Sequence, residues 1–203
     1  MTDPYNIPVK NTTSAAIPPF AVMSPKGIVE RNGQWVYEVE KPGTTFRRLW
    51  LVNGRREIKK GGYGRAADGV ATPVLVRTTN TGSPAFGKQY GVANNNWSLL
   101  NTIDGNAAGN FEWLAGSGFH KKLTDVYLAL FRQAECNELL VTNSGSFTSG
   151  VATASTAGGH TLSIHDYQFP EGPWWDTTGL VFKVAFVNGL WRIDGFEECP
   201  PEE

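Results

Sequence analysis

Charge is scarce in this chain. Asp, Glu, Lys and Arg make up 18% of its 203 residues, against ~25% in ordinary soluble domains. The two signs nearly cancel, with 18 Lys plus Arg facing 19 Asp plus Glu for a formal net charge of −1. That balance argues against nucleic acid as a partner and against an acidic solvating tail. Cysteine is almost absent, with only Cys136 and Cys199. Two thiols fall short of a zinc site's four ligands. They leave two readings, a disulfide or a pair of unrelated thiols, and do not fix a redox compartment. No stretch approaches the ~20 apolar residues of a membrane-spanning helix. The opening MTDPYNIPVKN has no basic segment followed by an apolar run, so it does not read as a secretory signal. A soluble chain with no membrane partner is expected.

Turn formers are plentiful: 23 Gly and 12 Pro. The stretch from Gly179 to Cys199 reads as two strands joined by Asn188-Gly189, since both positions of such a turn must tolerate positive φ. The same device stands at Asn32-Gly33 and at Asn53-Gly54. Short apolar runs between turn signals predict strands at 20–23, 28–31, 34–39, 46–52, 72–77, 87–92, 97–100 and 109–115. Turn signals roughly every 8–12 residues are the mark of a barrel or sandwich. Residues 123–132 fit helical spacing, but their β surroundings favour a strand. The Ser/Thr/Gly/Ala-rich 142–160 is either a loop or a polar strand pair. The expected fold is all-β, with antiparallel hairpins in a barrel or sandwich, as one domain or two small ones. The expected division is a Pro-rich extended arm at 1–19 with one edge strand at Ile7–Asn11, a barrel-like domain at 20–117 and a second β domain or extension at 118–203. No repeat of 20–50 residues is visible beyond the recurring turn.

Chemistry is hard to place. His160 and His165 lie five apart, on opposite faces of a strand, and read with His120 as surface or loop histidines. Gly61-Gly62-Tyr63-Gly64 lacks phosphate-loop spacing, and Gly116-Ser117-Gly118 is no nucleophile elbow. Glu38 and Glu40 share a strand face, and Glu197-Glu198 are neighbours; neither forms an acid pair across a cleft. A hydrolase built on Glu197 or Asp166 is the weakest reading. No catalytic residue, metal ligand or cofactor is expected. Aromatics are the compositional excess, with seven Trp, six Tyr and eleven Phe. Phe20, Val22 and Trp35 are the expected core. Trp174 and Trp175 in a Pro/Gly loop, with Tyr167 and His165, form a candidate glycan platform or partner contact. Tyr5, Ile7 and Val9 are contact candidates on the arm.

Several segments together resemble small β-rich virion proteins of tailed bacteriophages. They are Val9-Lys10-Asn11, then Ile17-Pro18-Pro19-Phe20-Ala21-Val22-Met23, Leu51-Val52-Asn53-Gly54 and Gly61-Gly62-Tyr63-Gly64-Arg65-Ala66. Gly91 with Trp97-Ser98-Leu99, and the ending Trp191-Arg192-Ile193…Glu198-Cys199, extend the likeness. The resemblance implies a non-enzymatic structural role in the virion, as a capsid decoration (cement) protein or a neck or tail appendage subunit. The implied partners are copies of the chain, as a trimer or another homo-oligomer, and other virion proteins such as capsid or neck/tail proteins. The alternative is a carbohydrate-binding module or receptor-binding tip using the Trp platform, with a glycan as ligand.

Overall fold

The computed structural model describes residues 3–78, 89–101, 111–114, 121–123, 126–133, 137–156, 158–166 and 177–196. Among these there is no helix, and sixteen strands form three sheets. The all-β, barrel-like expectation therefore holds, in three units. The N-terminal barrel contains β1 (Ile7–Asn11), β2 (Val22–Arg31), β3 (Gln34–Glu40), β4 (Leu51–Asn53) and β5 (Tyr63–Ala67), closed in the order β1-β3-β2-β4-β5. The middle sheet contains β6 (Val74–Thr78), β7 (Gln89–Val92), β8 (Leu99–Asn101), β9 (Phe111–Trp113), β10 (Lys121–Leu123) and β11 (Val126–Gln133). Its order is β10-β11-β6-β8-β7-β9, and a further β9–β11 pairing brings it round on itself. The C-terminal barrel closes β12 (Glu138–Asn143), β13 (Val151–Ser155), β14 (Thr161–His165), β15 (Val181–Val187) and β16 (Leu190–Phe196) as β12-β13-β14-β16-β15.

The three rings are one ring. Each contains one parallel pair: β1 with β3, β6 with β8, and β14 with β16. Walking round from that pair, the first ring visits β1, β3, β2, β4, β5 and the second β6, β8, β7, β9, β11. The third visits β14, β16, β15, β12, β13, with every other neighbour antiparallel. The first two run through the ring in the same chain order. In the third, the chain enters at the equivalent of β4, so it is the same ring cut at another point. A recurring turn joins the second and third strands of each ring. It is Asn32-Gly33-Gln34-Trp35, then Asn94-Asn95-Asn96-Trp97, then Asn188-Gly189-Leu190-Trp191. Left-handed backbone falls at Asn32 and Gly33 (φ 52 and 74), Asn95 (55), and Asn188 and Gly189 (51 and 85). These are conformations that Asn and Gly adopt at least cost.

The two closed barrels match in detail. Asn53 ends β4 and Asn143 ends β12, and both are 1% exposed. The Asn53 amide donates to Ala21 O at 2.8 Å, and that of Asn143 to Leu180 O at 2.9 Å. Asn53 Nδ2 donates to Pro18 O at 2.8 Å; Asn143 Nδ2 donates to Thr177 Oγ1 at 2.8 Å. A left-handed residue precedes each following strand, Phe20 (φ 59) before β2 and Gly179 (φ 88) before β15. Thus Asn53-Gly54 is not a hairpin turn as its dipeptide suggests. Asn53 is a buried bracket that ties down the chain entering β2, and Gly54 sits close under Arg65 O.

Other expectations change for physical reasons. The strand expected at Ile7–Asn11 is present as β1, but as a stave paired on both sides, with β3 and with β5, and not as an edge strand. The separate strands expected at 20–23 and 28–31 are one strand, β2, which accommodates Pro25 at a bulge between Pro25 and Gly27, a place where a strand tolerates proline. The first barrel and the middle sheet share a core: Val22, Trp50, Val52 and Ala67 pack with Val76, Tyr90, Trp113 and Phe131. The chain passes from one sheet to the other between Ala67, the end of β5, and Val74, the start of β6. The small residues of 151–155 form β13, whose Ala152 and Ala154 enter the C-terminal barrel's core.

The bracketing role has a direct consequence. Asn53→Ala and Asn143→Ala each strand a buried partner, which costs about 1–3 kcal/mol. Denaturant unfolding of both variants is expected to show losses of this order. Losses below ~0.5 kcal/mol in both would contradict the pairing of roles.

Candidate functional site

The turn tryptophans present three different surfaces. Register pairs Glu30 with Trp35 and Ile28 with Tyr37, and opposed residues share a face. Trp35 and Ile28 therefore lie on one face of the β2–β3 hairpin. They are 66% and 54% exposed. Trp35, expected as core, is thus the most exposed large apolar side chain among the described residues. Its two counterparts are engaged within the chain. Trp97 packs against the interior cluster of the N-terminal barrel, and its carbonyl accepts from the Val22 amide at 2.9 Å. Trp191 is 7% exposed. Phe46, from the segment joining β3 to β4, caps it edge-on at 5.7 Å, and Phe186 lies beside it at 5.1 Å. The Arg48 guanidinium covers the Phe186 ring at 4.0 Å. The capping segment is held by main-chain bonds between Phe46 and Thr161 and between Thr161 and Thr44.

A second surface lies on the outside of the N-terminal barrel. Two clefts of about 470 and 260 Å³ meet at Tyr63, Gly64 and Arg65. The larger runs under the β4–β5 connection with Arg55 and Arg56; the smaller reaches Arg31 at the hairpin turn. Arg31 stacks over the Tyr63 ring at 3.9 Å. Arg65 donates to Asn6 O at 2.9 Å. Among the described residues these arginines form no ion pair with an acid, whereas Glu38 and Glu40 of β3 are paired with Lys10 and Lys26.

The residues singled out from the sequence scatter. Tyr5 lines the larger cleft but turns its ring inward, edge-on to Phe20 at 6.4 Å, with its hydroxyl 3.5 Å from Leu75 O. Ile7 packs on the barrel core and Val9 is fully buried in it. The apolar surface of Val9 is therefore covered inside the chain, and that of Tyr5 and Ile7 is partly covered. Trp174, Trp175, Tyr167, Cys136, Cys199, His120 and Glu197 lie outside the described residues. His165 is half-buried on β14, opposite Val151. His160 is not a surface histidine: it is 2% exposed, with ring nitrogens 2.7 Å from Gly43 O and 2.8 Å from Val92 O. Among the described residues no cluster of His, Cys, Asp or Glu could hold a metal ion. Sequence reading missed the arginine cleft, although Arg55, Arg56, Lys59, Lys60 and Arg65 crowd a short segment. The overall charge balance hid it.

The chain matches no known protein family, no curated protein and no solved structure.

Burial pushes the Tyr5 hydroxyl up from 10.0 to about 12. The fold thus favours the neutral phenol. That preference is complete below pH 10 and is lost as pH rises towards 12. Denaturation midpoints followed through this window are expected to fall more steeply for the native chain than for Tyr5→Phe. Parallel curves would contradict the burial.

Proposed function

We propose that the chain is a non-catalytic structural subunit of a tailed-bacteriophage virion, of the capsid-decoration or neck/tail-appendage kind. It joins copies of itself and neighbouring virion proteins through the β2–β3 hairpin face of its N-terminal barrel. The observation that carries the assembly reading is Trp35. Each ring bears a tryptophan at the same turn, and two of the three seal contacts between units of the chain. The third is exposed beside Ile28. Exposed aromatic anchors flanked by apolar side chains are where protein partners dock. The sequence resemblance to phage virion proteins supplies the biological setting, and the low charge suits a surface largely covered by contacts.

The test is Trp35→Ser in the full chain. An exposed side chain contributes little to stability, so the unfolding midpoint is expected to stay within ~0.5 kcal/mol of the parent. Loss of a tryptophan anchor costs about 2 kcal/mol or more of binding, roughly a 30-fold weaker association. Light scattering and co-sedimentation with phage heads and tails read that loss. Unchanged association and particle binding would refute the assignment of this face.

A further inference from the structure

We propose that the arginine-lined cleft of the N-terminal barrel binds an anionic oligosaccharide, one bearing carboxylate or sulfate groups. The first argument is position. The strand order of the C-terminal barrel, first-second-third-fifth-fourth, is that of the five-stranded Greek-key barrels that bind oligonucleotides and oligosaccharides. Those barrels bind on the face of the second and third strands, between the loops joining strands one to two and four to five. Carried round the shared ring, the second and third strands become β5 and β1 of the N-terminal barrel. The two loops become the β4–β5 connection and the Asn32-Gly33 turn. The clefts are lined by these elements: Pro8 and Val9 from β1, Tyr63 and Arg65 from β5, Arg55 and Arg56 from the first loop, and Arg31 beside the second.

The second argument is charge. Among the described residues that line the clefts, Arg31, Arg55, Arg56 and Arg65 are joined by only two acids, Asp3 and Glu57. Guanidinium forks match carboxylate and sulfate geometry. The corresponding surface of the C-terminal barrel, β13, β14 and the 144–150 loop, contains no Lys or Arg. The cations are therefore a property of this site and not of the ring. The larger cleft, about 470 Å³, falls in the range of ligand sites.

The third argument separates sugar from nucleic acid. Single strands need successive exposed rings on which bases stack. Here Arg31 already covers one face of Tyr63, and Tyr5 is turned into the protein. The chain as a whole is also slightly acidic, with a pI of 6.3, and lacks the broad basic footprint of a nucleic-acid binder. A short ligand with discrete charges fits a confined cluster better.

This site is separate from the Trp35 face and does not depend on the virion reading. Calorimetric titration of the full chain tests it with four probes: an oligogalacturonate, a heparin-derived oligosaccharide, a neutral malto-oligosaccharide and an oligo-dT. One or both acidic sugars are expected to bind, more weakly as salt rises, while the neutral sugar does not. Which of the two binds distinguishes carboxylate from sulfate. The double variant Arg55→Ser/Arg56→Ser is expected to lose at least ~10-fold in affinity, because each charge-assisted hydrogen bond contributes ~1.5–3 kcal/mol. Its unfolding midpoint is expected to be unchanged, since both side chains are exposed. Tighter binding of oligo-dT, no binding of either acidic sugar, or affinity indifferent to the double variant would each overturn the proposal.

Discussion

The three sheets depend on one buried ring. His160 stands just before β14 and is shut off from solvent. Its Nδ1 meets Gly43 O, from the segment leaving β3; its Nε2 meets Val92 O, at the end of β7. One side chain thus touches all three units. Both neighbours are carbonyl oxygens, which accept from a ring N–H. The backbone around it is equally committed. Asn94 donates to Gly158 O, Asn95 to Pro42 O and the His160 amide to Thr156 Oγ1. A side chain at Gly158 would collide with Val92 O. Trp50 and Phe46 pack on the histidine at 5.2 and 6.4 Å.

Around that junction the chain uses the same ring three times and finishes its turn tryptophans differently. Circular re-cutting of the third ring leaves its pairings intact, because a closed ring does not record where the chain enters it. Chain ends that lie close together make such re-cutting tolerable. The matching brackets at Asn53 and Asn143 are the clearest trace of common construction, since they reproduce a hydrogen-bond pattern and not only a strand order. The unit that keeps its turn tryptophan exposed is also the one that carries the arginine cleft, on a different face.

The local half of this was legible in the sequence. Asn32-Gly33 and Asn188-Gly189 turn as their dipeptide demands, and the all-β class followed from turn spacing. Asn53-Gly54 misled because the dipeptide does not reveal that its asparagine is buried and engaged elsewhere. Trp35 reads as core from the sequence because hydrophobicity alone does not tell an interior face from the same face extended beyond a barrel's end. His160 was out of reach: its partners lie 117 and 68 residues away in the chain. The repeat escaped because it is a repeat of ring order, and a re-cut ring has no fixed period. The arginine cleft escaped because a whole-chain charge balance averages away a local cluster.

The most direct measurement is denaturant unfolding of the native chain and of His160→Asn, followed by hydrogen exchange resolved to each sheet. If the junction welds the three units, the native chain unfolds in one cooperative step seen alike by all three sheets. The variant then releases the C-terminal barrel at lower denaturant than the other two. A native chain whose C-terminal barrel already unfolds independently, or a variant that unfolds as the parent does, would contradict the account.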